Sequence, residues 1–115
     1  MINLKKEKKR ICTVRFNAIT HDAVGAKLKK KKEGSVSNLI NTLAKAYNNG
    51  DEKLCTFVNE VHEKRVKDFA STLSLGSDID TAVKSMRKSR ALQGKERRSR
   101  NTVVEIFLTY YLKEM

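Results

Sequence analysis

The chain has 115 residues, of which 39% are hydrophobic, and it contains five glycines and no proline. This length suits one domain with a modest core, and the scarcity of helix-breaking residues favours long helices and excludes a many-turned β-sandwich. Lysine and arginine number 25 against 13 acidic residues, giving a formal net charge of +12, which predicts a polyanionic partner because neutralising phosphates releases their counterions.

The positive charge is concentrated in two zones of the chain. Residues 1–34 contain eleven basic and three acidic residues, and residues 84–100 contain eight basic and one acidic residue. Residues 51–64, between these zones, contain four acidic and two basic residues. Two basic zones on either side of a nearly neutral one indicate a repeated arrangement.

No segment approaches the roughly 18 consecutive apolar residues of a membrane span, and residues 1–10 lack the apolar stretch of a signal peptide. We therefore expect a cytoplasmic, nucleoid-associated protein with no membrane partner. The two cysteines, Cys12 and Cys55, are predicted to be free thiols, and neither they nor the histidines show zinc-ligand spacing. No metal, cofactor or catalytic constellation is expected, so the sequence does not predict an enzyme.

The chain is predicted to begin with a basic flexible arm at residues 1–9, followed by a strand at Arg10–Asn17. Within the strand, polar residues alternate with Cys12, Val14 and Phe16. This period of two is typical of a strand with one buried face.

The strand is followed by two predicted helices separated by a glycine. Thr20 is predicted to cap the first helix, which runs to about Glu33 and stops at Gly34 in a left-handed cap. Its predicted core face consists of Ala23, Val24, Leu28 and the methylenes of Lys31. Ser35 is predicted to cap the second helix, which ends at residues 48–50. Its apolar residues recur at intervals of three and four: Val36, Leu39, Ile40, Leu43, Ala44 and Tyr47.

A connecting helix is predicted within residues 51–66, from Asp51 to about Lys64. Its apolar residues on one face are Leu54, Phe57, Val58 and Val61. Two interpretations stay open, since this helix suits either a connector packed on the core or a docking face for a protein partner through residues 51–64.

The rest of the chain repeats the order strand, helix, helix. A strand that ends before Gly76 is predicted from the alternation of Phe69, Ser71, Leu73 and Leu75 with smaller or polar residues. A helix capped by Ser77 is predicted to run to about Gln93, and Gly94 stops it. Ser99 is predicted to cap the last helix, whose apolar face consists of Val103, Val104, Phe107, Leu108 and Tyr111.

Corresponding positions in the two halves carry similar residues at two constant differences in residue number. Thr13–Phe16 matches Thr72–Leu75 at a difference of 59, which also relates Ala23 and Val24 to Ala82 and Val83. We call this difference the first offset. The second helices match at a difference of 64, the second offset: Ser35, Leu39, Ile40, Leu43, Ala44 and Tyr47 with Ser99, Val103, Val104, Phe107, Leu108 and Tyr111. The change between the two offsets places an insertion around residues 94–98.

One strand followed by two helices cannot bury its apolar faces alone, so two copies in one chain are expected to complete each other. The predicted fold is mainly α with one two-stranded antiparallel β-ribbon. Two tandem units, residues 10–50 and 67–115, are expected to form an intramolecular pseudo-dimer around one core.

This arrangement resembles the ribbon-helix-helix family of DNA-binding proteins, which includes the Arc and MetJ repressors. The resemblance rests on the strand Cys12–Asn17 and on the stretch Gly34–Ile40. That stretch is similar to the family's G-x-S-x-S-x-L-I entry into the second helix, shortened by one residue. A fused pair is similar to the TraY type of conjugation accessory protein. In the second half the glycine lies five residues before the serine, which departs from the family pattern.

The resemblance implies that the ribbon enters the major groove of duplex DNA, where outward-facing side chains read bases. The implied base-reading residues are Thr13, Arg15, Asn17, Thr72 and Ser74, with Ile11 and Ala70 as further candidates. Arg15 is the strongest of these, because a guanidinium can bridge O6 and N7 of guanine. Phosphates would be held at the starts of the second helices by Ser35, Ser37, Arg98, Ser99, Arg100 and Asn101.

The predicted function is sequence-preferring binding of double-stranded DNA by a monomer that acts as a pseudo-dimer, with further self-association on DNA left open. An asymmetric site is expected because the two reading faces differ. Transcriptional regulation and accessory roles in plasmid or mobile-element transfer, partition or copy control are not separated by the sequence. The alternative is a basic helical protein-interaction module, antitoxin-like or anti-factor, with only nonspecific nucleic-acid affinity.

Overall fold

The computed structural model describes residues 10–61 and 67–115. The predicted arm at residues 1–9 and the predicted end of the connecting helix at residues 62–66 lie outside the described residues. The described elements, in chain order, are β1 (Arg10–Phe16), α1 (Ala18–Lys31), α2 (Val36–Asn48), α3 (Glu52–Glu60), β2 (Phe69–Leu75), α4 (Ser77–Leu92) and α5 (Arg100–Glu114). The prediction of a mainly helical protein with one two-stranded antiparallel ribbon is confirmed.

The ribbon pairs β1 with β2 of the same chain, with Thr13 directly opposite Thr72 at its centre. Both strands have the same burial pattern along their seven residues. The inward side chains include Val14, Phe16, Leu73 and Leu75, all of which are buried. The predicted alternation is therefore confirmed, except that Phe69 at the end of the ribbon is 37% exposed.

The starts of the helices are set by short polar side chains, as expected for caps that accept a backbone N–H. Ser35 and Ser99 cap α2 and α5 as predicted, and Asp51 caps α3. Each accepts a hydrogen bond from the N–H three residues later. The prediction of Thr20 as the cap of α1 is wrong. Asn17 takes that place with its side-chain oxygen, and Thr20 is buried.

The start of α4 and the end of α1 also differ from the predictions. Gly76, not Ser77, is the N-cap of α4, and it offers no side chain for the cap. The left-handed residue that ends α1 is Lys32 (φ 55°), whose N–H donates to the carbonyls of Leu28 and Lys29. Gly34 also has a positive φ of 97°, within the turn to α2. The predicted core residues Ala23 and Lys31 are exposed, because the buried face of α1 is narrower than predicted.

The core lies beneath the ribbon and is organised around α5. α1 packs on α5, α2 packs on α4, and the strands β1 and β2 lie against α5 and α2 respectively. All nine residues from Val103 to Tyr111 are buried, including Glu105 and Thr109. The predicted apolar face of α5 therefore includes only some of the residues that the helix buries. No helix in the described part of the chain has the length and apolar composition to cross a membrane.

The additional burial of α5 is explained by α3, which packs on it. Leu54 and Val58 of α3 are buried, and the ring of Phe57 meets the ring of Tyr110 edge-on, with centroids 5.2 Å apart. The helix α3 is therefore part of the core, as in the connector interpretation of the segment.

Candidate nucleic-acid interface

The outward face of the ribbon carries six exposed side chains in three cross-strand pairs. Ile11 pairs with Ser74, Thr13 with Thr72, and Arg15 with Ala70. Paired residues on an antiparallel ribbon project to the same side, so these six side chains form one surface. The four base-reading candidates Thr13, Arg15, Thr72 and Ser74 are thus brought together.

The dimensions and side chains of this surface can be compared with the dimensions and base edges of the DNA major groove. Seven residues of strand span roughly 20 Å, and a two-stranded ribbon fits a groove about 12 Å wide. Arg15 offers a fork of donors, the two threonines offer hydroxyl and methyl groups, and Ile11, at 80% exposed, offers an apolar contact. Each of the six side chains, including the methyl group of Ala70, has a base edge that it can recognise.

The fifth base-reading candidate, Asn17, is placed differently. It lies beyond the last residue of β1, and its side-chain oxygen accepts a hydrogen bond from the N–H of Thr20 at 3.2 Å. A side chain that caps α1 is held at the end of the ribbon, so Asn17 is not part of the outward surface.

The strand β1 is attached to the start of α5 by two hydrogen bonds. The N–H of Arg15 donates to Oδ1 of Asn101 at 3.2 Å, and the N–H of Asn17 donates to Oε1 of Glu105 at 3.1 Å. These bonds hold β1 and the first turn of α5 in a fixed relation.

The strand β2 is attached to the start of α2 at the corresponding positions. The N–H of Ser74 donates to Oγ of Ser37 at 3.0 Å, and the N–H of Gly76 donates to Oδ1 of Asn41 at 2.9 Å. The first offset relates these two donors to Arg15 and Asn17, and the second offset relates the two acceptors to Asn101 and Glu105. The two pairs of bonds therefore follow the same offsets as the sequence repeat.

The first turns of α2 and α5 consequently flank the two edges of the ribbon. Ser35 Oγ accepts from the N–H of Asn38 at 3.1 Å, and Ser99 Oγ accepts from the N–H of Thr102 at 3.2 Å. Other N–H groups of a first helical turn have no partner within the helix, and the helix dipole is positive there. Both positions can hold an anion.

Ser37 and Asn101, predicted to contact phosphate, have a second role in fixing the ribbon. The side-chain oxygen of each residue accepts a hydrogen bond from a backbone N–H of the strand in the other half of the chain. The hydroxyl hydrogen of the serine and the amide hydrogens of the asparagine remain as donors. An anion held at either position would therefore lie directly beside a strand of the ribbon.

Arg98, also predicted to contact phosphate, lies instead against the end of α3 and is only 8% exposed. Its Nη1 donates to the carbonyl of Val58 at 2.7 Å, and its Nη2 donates to the carbonyl of Val61 at 3.0 Å. Burial lowers the pKa of Arg98, and the nearby positive charge of Arg90 lowers it further. The guanidinium satisfies the last carbonyls of α3, so Arg98 is excluded from the interface.

A basic depression of about 570 Å³ borders the ribbon at the start of α5. We define the basic depression by the residues that line it: Arg10, Thr13, Asp80, Val83, Lys84, Arg87, Ser99, Arg100 and Asn101. Arg10, Lys84 and Arg87 were not among the predicted site residues. The excesses of basic residues at 1–34 and 84–100 were the available signals, but only the fold shows which of these residues meet at one place.

The chain matches no protein-family model, and neither the curated proteins nor the solved structures compared with it gave a match.

Proposed function

We propose that this chain is a sequence-preferring double-stranded-DNA-binding protein that inserts its two-stranded ribbon into the major groove, in the manner of ribbon-helix-helix proteins. The observation that carries the proposal is the outward surface of the ribbon, flanked on both edges by helix starts. The outward surface and two helix starts that can hold anions then lie next to each other on a protein with a net charge of +12.

We further propose that residues 10–50 and 67–115 are two similar units that form a pseudo-dimer within one chain. The support is the agreement between sequence spacing and hydrogen bonding. Thr13 and Thr72 are related by the first offset and are also directly opposite each other. A pseudo-twofold axis through that pair exchanges β1 with β2, and exchanges the contact of α1 with α5 for that of α4 with α2.

The DNA site is proposed to be asymmetric, because the two reading strands carry different side chains. By the first offset, Arg15 corresponds to Ser74 and Ile11 corresponds to Ala70. A guanidinium favours guanine and an apolar side chain favours the thymine methyl group. The β1 half of the site is therefore proposed to be read more stringently than the β2 half.

The biological roles that fit such a protein are transcriptional regulation and accessory functions of plasmids or mobile elements, including transfer, partition and copy control. Each requires recognition of a defined duplex in the cytoplasm, in association with the nucleoid.

The experiment that tests the proposal is selection of the purified protein against a random duplex-DNA pool at near-physiological salt. We expect enrichment of an asymmetric motif, because the unlike strands demand unlike half-sites. A palindromic optimum would contradict the asymmetry. Absence of any enriched motif, together with equal binding to heparin and duplex DNA, would overturn specific binding in favour of a basic protein-interaction module.

A further inference from the structure

The two edges of the ribbon differ in charge at corresponding positions. On the β1 edge, four cationic side chains line the basic depression beside Ser99 and Asn101: Arg10, Lys84, Arg87 and Arg100. Such a cluster next to a helix start favours phosphate, because both the side chains and the helix dipole present positive charge.

Three of these four cations have partners that place them. Arg10 forms an ion pair with Asp80, Nε of Arg87 donates to the carbonyl of Arg98 at 3.1 Å, and Nη1 of Arg100 lies 3.8 Å from Sγ of Cys12. Each contact uses part of a guanidinium and leaves other donors of its fork. Lys84 is exposed and forms no ion pair with the described residues. One carboxylate therefore faces four cations.

The β2 edge has no cation at any of the corresponding positions. The two offsets match Arg10, Lys84, Arg87 and Arg100 with Phe69, Gly25, Leu28 and Val36. Where Arg10 pairs with Asp80 on one edge, the ring of Phe69 packs on His21 on the other, with centroids 4.6 Å apart. An aromatic contact thus takes the place of the ion pair.

We infer that the protein grips the DNA backbone at the β1 edge only, with the basic depression as its phosphate anchor. This inference rests on the proposed function and adds the place of the backbone contact. The β2 edge then offers backbone N–H groups and the serine hydroxyls of α2 without a charged contact. The anchor lies beside the same strand that carries Arg15, so phosphate contact and stringent base reading fall on one half of the site.

The test compares charge changes at corresponding and at remote positions. Lys84→Ala and Arg100→Ala remove charge from the basic depression. Gly25→Lys adds the missing cation to the β2 edge, where an added Cβ meets nothing within 4 Å. Lys45→Ala is the matched control, since Lys45 is exposed in the last turn of α2, roughly 15 Å along the helix from the ribbon.

Affinity for a labelled mixed-sequence duplex is measured as a function of salt concentration. Near about 0.15 M salt, Lys84→Ala and Arg100→Ala are each expected to weaken binding roughly fivefold and to lower the slope of log affinity against log salt by about one. Gly25→Lys is expected to tighten binding by a similar factor and to steepen the slope. Lys45→Ala is expected to change affinity less than about twofold.

Two outcomes would overturn the inference while leaving DNA binding intact. Equal losses for Lys84→Ala and Lys45→Ala would mean that charge acts without a local anchor. Losses for Lys84→Ala and Arg100→Ala with an unchanged salt slope would mean that neither cation contacts a phosphate. Failure of the proposed function has a different signature, because the wild-type protein would then not bind the duplex, or Arg15→Ala would leave the preference for an enriched duplex unchanged.

Discussion

The helices α2 and α5 occupy corresponding places in the two halves of the chain, yet their surroundings differ. α2 buries one face, formed by Leu39, Ile40, Leu43 and Ala44. α5 buries every residue from Val103 to Tyr111. The reason is that α3 packs on the side of α5 that corresponds to the exposed side of α2. A repeated sequence pattern therefore predicts where a helix lies, whereas the non-repeated segment between the copies decides what that helix must bury.

The largest expected effect of this difference is on stability. Ile106 and Thr42 are related by the second offset, but Ile106 is fully buried and Thr42 is exposed. Ile106→Ala is expected to lower the free energy of unfolding by about 3–4 kcal/mol through lost burial and a cavity. Thr42→Ala is expected to change it by less than about 0.5 kcal/mol.

Urea unfolding followed by circular dichroism measures this pair of variants. Ile106→Val, with an expected loss of about 1 kcal/mol, keeps the comparison measurable if the alanine variant does not fold. Similar losses for Ile106→Val and Thr42→Ala would contradict the enclosure of α5 by α3.

A second effect concerns Arg98, which lies in the insertion that only the second half has. Arg98→Met keeps the stem of the side chain and removes both hydrogen bonds to the carbonyls of Val58 and Val61. We expect a loss of about 2–3 kcal/mol in unfolding free energy, because a charged donor is removed from buried carbonyls. Under conditions where the variant is folded, its affinity for duplex DNA is expected to equal that of Lys45→Ala. A selective loss of DNA affinity without destabilisation would restore the phosphate-binding interpretation of Arg98.

The caps of α2 and α5 allow the two halves of the chain to be compared directly. Ser35 and Ser99 accept equivalent hydrogen bonds at 3.1 and 3.2 Å. Ser35→Ala and Ser99→Ala are each expected to lower stability by about 1 kcal/mol. Thermal melting of both variants measures this, and a loss confined to one of them would show that the helix starts are not equivalent.

Substitutions at Tyr47 and Tyr111 are expected to have the smallest effect on stability at neutral pH. These two residues also correspond by the second offset. Burial and the hydrogen bond to Glu33 raise the pKa of Tyr111 to about 12, and burial also raises the pKa of Tyr47. A phenol whose pKa is raised on folding adds stability that is present below the unfolded pKa of about 10 and lost as the pH rises towards 12.

Unfolding midpoints at about pH 9 and 11 measure this alkaline loss. Tyr111→Phe is expected to remove more of the difference between the two midpoints than Tyr47→Phe. The reverse order would contradict the deeper burial of Tyr111.

Much of the fold was predictable because local rules acted without competition. The period of two in both strands and the serine caps at Ser35 and Ser99 are determined by neighbouring residues, and all appear in the structure. Asn17 and Thr20 show where such rules fail. Both residues are able to cap a helix, and in the structure Asn17 takes that place while its own N–H donates to Glu105 of α5.

The candidate interface was predictable only in part for the same reason. The outward residues of the ribbon follow from alternation alone, so Thr13, Arg15, Thr72 and Ser74 were identified. The remaining site depends on packing between distant segments. Arg98 turns inward to α3, and Lys84 and Arg10 meet beside α5 although they lie in opposite halves of the chain. Charge counts indicated a basic region but not which side chains converge.

The central claim, that the ribbon reads bases, is tested most directly with Arg15→Ala. Its dissociation constants are measured for the duplex that selection enriches and for a scrambled duplex of the same composition, with the exposed Arg97→Ala as the charge-matched control. We predict that Arg15→Ala weakens binding to the enriched duplex by roughly tenfold to a hundredfold and to the scrambled duplex far less, because one bidentate base contact contributes about 1–3 kcal/mol of discrimination. Equal losses on both duplexes would contradict insertion of the ribbon into the major groove.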